Sequence, residues 1–296
     1  MKTLLVILGP TGVGKTALSL GVAERLGCPI LNADSRQIYK ELPIGTAAPT
    51  RQEQARVWHL FVGTRSVRED YNAGIYEREA LEALETLHRQ HDTVVMTGGG
   101  MMYIDAVCRG FDEIPAVRPE TRKEVQALYA AEGIDALRLE LQQKDPAYLW
   151  QADTQNPQRL MHALEICRET GVPYSAFRKG ESRERPFRIV RIGLQRDREE
   201  LYARINARVD EMMRLGLEEE ARRVYPLRGL NSLNTVGYKE LFAWFDGIVS
   251  KEEALRLIRQ NSRHYAKRQL TWWRRAEDIV WLDARQAVTD DILHCL

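Results

Sequence analysis

Residues 9–16 read GPTGVGKT, which fits G-x-x-x-x-G-K-[ST] with Gly9, Gly14, Lys15 and Thr16 at the defining positions. The flanks narrow the fold more than the loop itself does. Leu4 to Leu8 is a short apolar run bounded by glycine, the mark of a buried parallel strand. Beyond Lys15, Leu18, Val22 and Leu26 recur at helical spacing and the pattern stops at Gly27. Strand, glycine loop and helix in that order specify an α/β sheet with a phosphate-binding loop, or P-loop, at the strand's end. Gly12 and Gly14 let backbone N–H groups turn toward an anion, Lys15 adds a point charge, and the Thr16 hydroxyl is placed to meet a magnesium ion. The loop predicts a bound di- or triphosphate and no particular reaction.

Four further segments read as core strands: CPILNAD (28–34), DTVVMTGG (92–99), FRIVRIGL (187–194) and DIVWLD (278–283). Helical patterns separate them, so the expected fold is α/β: a P-loop NTPase-like parallel sheet flanked by helices, with an inserted helical domain. From 113 to 186 no strand-like run occurs. AVRPETRKEVQALYAAEG reads as a helix there, and so does NPQRLMHALEICRETG, with Asn156 as cap, Pro157 in the first turn and Gly171 at the end. The expected division is a core of 1–112 with 187–296 and an insertion of 113–186. At 296 residues, 44% of them hydrophobic, the chain can bury a full core. Its four cysteines form no C-x-x-C pair, which predicts neither a zinc site nor a disulfide framework and suits a cytoplasmic protein. No stretch is long enough to span a membrane, and the apolar start is too short for a signal peptide.

Asp34 is placed at the carboxyl end of a strand, the edge where open α/β sheets hold their ligands, and Ser35, Arg36 and Gln37 follow it as a polar cluster. The position suits a magnesium-associated carboxylate or a general base. The strand DTVVMT ends in Thr97 and three glycines, Gly98 to Gly100, without the aspartate expected of a kinase or ATPase. The glycines permit close approach of a ligand or a tight packing turn, two readings of equal standing on the sequence. Near the C-terminus Arg256, Arg259, Arg263, Lys267 and Arg274 form one helical stripe, with no acidic residue between Arg256 and Arg275. Like charges three or four apart repel unless an anion compensates them, which points to phosphates of a nucleic acid or of a substrate diphosphate. Net charge is only +1, so a polyanion would have to be met by such a local patch. Gln158, Arg159 and His162 open a helix of the insertion, where a phosphate contact is also reasonable.

These pieces, in order GPTGVGKT, ADSRQIYKELPIGTA, GGGMMY, NPQRLMHALE, RINARVDEMMRLGLEEE, TVGYKEL and YAKRQLTWWR, resemble the tRNA dimethylallyltransferase (tRNA isopentenyltransferase) family over nearly the whole chain. The resemblance implies that the loop Gly9, Pro10, Thr11, Gly12, Val13, Gly14, Lys15 and Thr16 holds the diphosphate of dimethylallyl diphosphate, with magnesium at Thr16. It implies that Asp34 is the base for the exocyclic amine of an adenosine beside the anticodon, flipped out of its stack, while Lys15 stabilises the leaving diphosphate. By position, Asp34, Ser35, Arg36, Gln37, Gly100, Arg122, Gln158, Arg159, Leu160, Met161 and His162 match stretches that contact tRNA, and Arg263 and Lys267 join them as phosphate contacts. The insertion would grip the anticodon stem-loop, and the protein is expected to act as a monomer. Gly100 stands where most members have threonine, Ala48 where IGTAKP would give lysine, Trp58 where HHL would give histidine, and His162 where arginine is usual. A P-loop nucleoside or metabolite kinase, a prenyltransferase acting on free adenine nucleotides, and a non-catalytic RNA-binding protein are the alternatives.

Overall fold

A computed structural model describes residues 1–180 and 182–296. Six strands form one parallel sheet: β1 (Thr3–Leu8), β2 (Ile30–Asn32), β3 (His59–Leu60), β4 (Thr93–Gly98), β5 (Arg188–Gln195) and β6 (Ile279–Asp283), in the order β3-β2-β4-β1-β5-β6. Central β1 is buried along its length, as a strand covered by helices on both faces requires. It pairs with β4 and β5 at once, Leu8 opposite both Gly98 and Gly193. The carboxyl ends of three strands are therefore level, and whatever follows them emerges at one edge. Asn32 of β2 is opposite Thr97, which brings Asp34 to the same edge. Strand β3 is absent from the sequence reading; two residues are too few for a periodic signal to register.

The chain divides into two compact units, Met1–Cys108 with Glu184–Leu296, and Arg109–Arg183. The sequence suggested 113–186 for the second; the observed bounds fall a few residues earlier at each end. The first unit buries apolar side chains on both faces of the sheet, with Trp273 among the largest of them on one face and Leu20, Ile192 and Ile205 on the other. A third cluster around Tyr238, Leu241 and Phe242 packs the segment after β5 against the loop after Asp34.

The second unit is helical and has its own core of Val125, Leu137, Leu141, Tyr148, Leu160 and Leu164. Helix Pro157–Thr170 begins at Asn156, whose side chain accepts from the Arg159 N–H, and ends on Gly171 in the left-handed region. Gly133, the last residue of the segment AVRPETRKEVQALYAAEG, is a kink at φ 76° that joins two helical stretches within Pro119–Lys144.

Candidate active site

Gly9, Gly12 and Gly14 all have positive φ, 149°, 82° and 118°, so the loop after β1 takes a path closed to most L-residues. Gly9 is doubly constrained, because a Cβ would lie 2.7 Å from the Leu194 carbonyl oxygen of β5. Lys15 opens the first helix, Lys15–Leu26, and folds back over the loop, donating to the carbonyls of Gly9 at 2.7 Å and Pro10 at 3.0 Å. Burial, and secondarily the Arg208 guanidinium, pull its ammonium down to about 7, with the Asp34 carboxylate acting in the opposite direction. Thr11, Gly12, Gly14, Lys15 and Thr16 line a cleft of about 970 Å³. Gly9, Pro10 and Val13 are buried behind it, Val13 with its side chain in the core, so the side chains of the latter two do not line the cleft.

Asp34, Ser35, Arg36 and Gln37 line the same cleft. Asp34 Oδ1 accepts from the Arg36 N–H at 2.9 Å and the Gln37 N–H at 3.4 Å, an Asx turn that holds the carboxylate at the sheet edge. Arg36 donates to the Ser232 carbonyl at 3.1 Å, and Gln37 Nε2 reaches the carbonyls of Thr46 and Ala47 at 3.0 and 3.1 Å. The glycine turn after β4 explains itself by packing. A Cβ on Gly98 would sit 2.3 Å from the Ala33 backbone, and one on Gly100 would sit 2.6 Å from the Ala33 oxygen. Gly100 is buried and its N–H donates to that oxygen at 2.9 Å, so it braces the chain leading into Asp34 and does not face the cleft, contrary to its assignment as a tRNA contact.

Several residues of the site escaped the sequence reading. Arg204 and Arg208 project from helix Arg198–Arg214 onto the loop, Arg204 Nε donating to the Gly12 carbonyl at 2.9 Å and Arg208 Nη1 to Thr11 Oγ1 at 3.2 Å. Burial first, then Arg204, holds the Arg208 guanidinium below its ordinary value. Two arginines four apart are the same repulsive pattern that marks the C-terminal stripe, and that signal was available in RINARVD. Arg268, Tyr265 and Gln269 also line the cleft, from helix Lys251–Trp273.

On the stripe itself the expectation needs correcting. Arg256 pairs with Glu253 at 2.6 Å and Arg259 with Asp210, so acids preceding the stripe and on a neighbouring helix compensate its first half. Arg263 donates to Asn206 at 2.7 Å and lies over the Tyr202 ring; neither it nor Lys267 has a carboxylate partner among the described residues.

In the helical unit Gln158, Arg159 and His162 are exposed, as is Arg122, which lies 3.7 Å from Glu165. Leu160 and Met161 are instead 0% and 6% exposed in that unit's core, so their side chains are not available to a tRNA. Partial desolvation of the His162 ring beside Tyr174, then the Arg122 charge, lowers its pKa. Among the described residues no group of three or more His, Cys, Asp or Glu is placed to hold a metal, and no helix is long and apolar enough to cross a membrane.

A glycine-built anion loop, a carboxylate across one cleft and a parallel sheet beneath both define a P-loop α/β protein. Within that class, residues 37–276 match the family described as IPP transferase. The chain is 62% identical to tRNA dimethylallyltransferase 2 of Porphyromonas gingivalis over 94% of its own length and 93% of that protein's, and 45% identical to the tRNA dimethylallyltransferase of Cytophaga hutchinsonii over 95% and 92%. Among solved structures it is similar to the full-length tRNA isopentenylpyrophosphate transferase of Bacillus halodurans, with a TM-score of 0.72, 33% identity and coverage of 99% and 94%. It also resembles a eukaryotic dimethylallyltransferase acting on tRNA, with a TM-score of 0.79, 26% identity and coverage of 96% and 74%. The chain belongs to the IPP transferase family.

Proposed function

We propose that this protein transfers the dimethylallyl group of dimethylallyl diphosphate to the exocyclic amine of an adenosine beside the anticodon of a tRNA. The observation that carries the reading is the single cleft shared by the phosphate loop and Asp34. In the transfer the carbon–oxygen bond to the diphosphate breaks, the leaving group taking the electron pair, while a carbon–nitrogen bond forms and the amine's proton passes to Asp34. An aromatic amine is a weak nucleophile because its lone pair is delocalised, so a positioned carboxylate is valuable. Lys15, Arg208, Gly12 and Gly14 line the cleft in which charge grows on the diphosphate.

Magnesium fits the donors present. With no cluster of protein carboxylates among the described residues, a hard cation would be held by the Thr16 hydroxyl and chiefly by diphosphate oxygens, the usual manner of this ion. When bound, it supplies further neutralisation of the leaving group.

A kinase would need a carboxylate after β4. Thr97 occupies that place and spends its hydroxyl on the Ile7 carbonyl at 3.0 Å while accepting from Ser19 at 2.9 Å. Arg263 and Lys267, without carboxylate partners among the described residues, favour a polyanionic acceptor over a free nucleotide. In this reading Gln158, Arg159, His162 and Arg122 contact the anticodon stem-loop, and a monomer working in the cytoplasm suffices. Incubation with labelled dimethylallyl diphosphate and, in parallel, tRNA, AMP or no acceptor tests it. Label in tRNA alone is the expected result; label in AMP alone, or none, refutes it.

A further inference from the structure

Within AKRQLTWW, one residue has a placement that none of the roles above uses. Gln269 is 0% exposed, and its amide lies between the two halves of the site. Oε1 accepts from the Thr11 N–H of the phosphate loop at 2.9 Å. Nε2 donates to the Gly99 carbonyl at 2.8 Å, an oxygen that also receives the Tyr265 hydroxyl at 3.1 Å. Gly99 lies against Asp34: a Cβ built there would be 3.5 Å from Asp34 Oδ2 and 2.6 Å from Gln269 Nε2. The flanking glycines grip Ala33, the residue before Asp34, at distances that admit no side chain.

One planar amide thus sets the spacing between the loop for the leaving group and the turn that supports the carboxylate. Its two bonds have opposite sense. A carboxylate would set oxygen against the Gly99 oxygen, a lysine would offer Thr11 no acceptor, and a hydrocarbon would leave the Thr11 N–H without its partner.

We propose that Gln269 is a positioning residue for the transfer reaction: it holds the diphosphate loop in register with Asp34, so that leaving group, carbon, amine and base fall into line. The inference rests on the reading of Asp34 as the base. Reactions of this kind lose about a hundredfold in rate when a reacting group is displaced by roughly 1 Å.

Gln269→Met, which conserves volume, is the first variant, measured by single-turnover transfer to tRNA in both the wild-type and the Asp34→Asn background. The expected result is a loss of about a hundredfold in rate with half-saturating tRNA and dimethylallyl diphosphate within about twofold of wild type. In the Asp34→Asn background the same change should cost less than about fivefold, because misalignment matters little once the base is disabled. A merely structural role would scale both backgrounds alike. Equal loss in the two, or no loss in either, overturns the inference. If the Met variant does not fold, Gln269→Glu, which keeps the Thr11 bond and opposes the Gly99 oxygen, carries the same comparison. The controls separate failures: no transfer by the wild-type protein removes the proposed function and this inference with it, while an undiminished rate in Asp34→Asn alone removes the base assignment on which it depends.

Discussion

The Asp34 carboxylate favours the charged form of Lys15, and each of the two makes a prediction the other does not. Lys15 is held near 7 by burial and Arg208, so above neutral pH much of it is uncharged until a diphosphate favours the ammonium form. Binding of dimethylallyl diphosphate at pH 8 should therefore take up a proton, and affinity should fall as pH rises through about 7. Calorimetry in buffers of different ionisation enthalpy reads that uptake, and in Lys15→Met the corresponding component should vanish while tRNA binding persists in a gel shift. For Asp34→Asn we expect transfer to slow by about a hundred- to ten-thousandfold, since the amide cannot accept the amine's proton, with tRNA affinity retained. A magnesium titration discriminates: rescue of the rate by high magnesium would mean that Asp34 is a metal ligand and not the base. Both residues were legible in the sequence because their signals are local, a loop motif and a carboxylate two residues beyond a strand. Gln269 was not, for its partner Thr11 is 258 residues away and nothing within the helix marks which polar side chain will be turned inward.

Between elements, the buried carboxylate of Glu220 ties helix Leu217–Val224 to the loop that walls the cleft. It accepts from the N–H groups of Ile44 and Gly45 at 2.9 and 2.8 Å and from the Tyr238 hydroxyl at 2.6 Å, and Gly45 admits the Tyr238 ring only because it lacks a Cβ. Glu220→Gln sets an NH2 against a backbone N–H, and it should lower stability by about 1–3 kcal/mol, read as a shifted denaturation midpoint with unchanged slope. Tyr238→Phe should cost less, since both loop amides keep their acceptor. TVGYKEL and the acidic run of LGLEEE thereby acquire a physical reason that their spacing alone does not disclose. The helix Lys251–Trp273 illustrates the opposite limit. Its charged stripe was readable, but Glu253 lies just before it and Asp210 on another helix, so only the fold reveals that Arg274 and, midway along the stripe, Arg263 and Lys267 have no carboxylate partner among the described residues. Replacing both with Gln should weaken tRNA binding and reduce the slope of log affinity against log salt by about 1 to 2. An unaltered slope would return them to the role of a solvated face.

Over the whole molecule, two cores are built from separate stretches of chain, and the clusters around the sheet draw their described members from 1–108 and 184–296, those of the helical core from 109–183. The ends of the inserted stretch meet, the Arg183 N–H donating to the Arg109 carbonyl at 2.7 Å. Excising 110–182 and closing the gap with a short glycine-serine linker should therefore leave a folded sheet domain that binds diphosphate but no longer retains tRNA; loss of both activities together would show that the two units depend on each other. Central β1 has a different dependence. Its neighbour β4 precedes the insertion and its neighbour β5 follows it. On the ribosome, then, the nascent chain carries β1 with one flank open throughout synthesis of an entire helical unit, until Arg188–Gln195 emerges to cover it. Premature termination within the insertion leaves a half-made apolar sheet, the species most exposed to aggregation and to capture by chaperones.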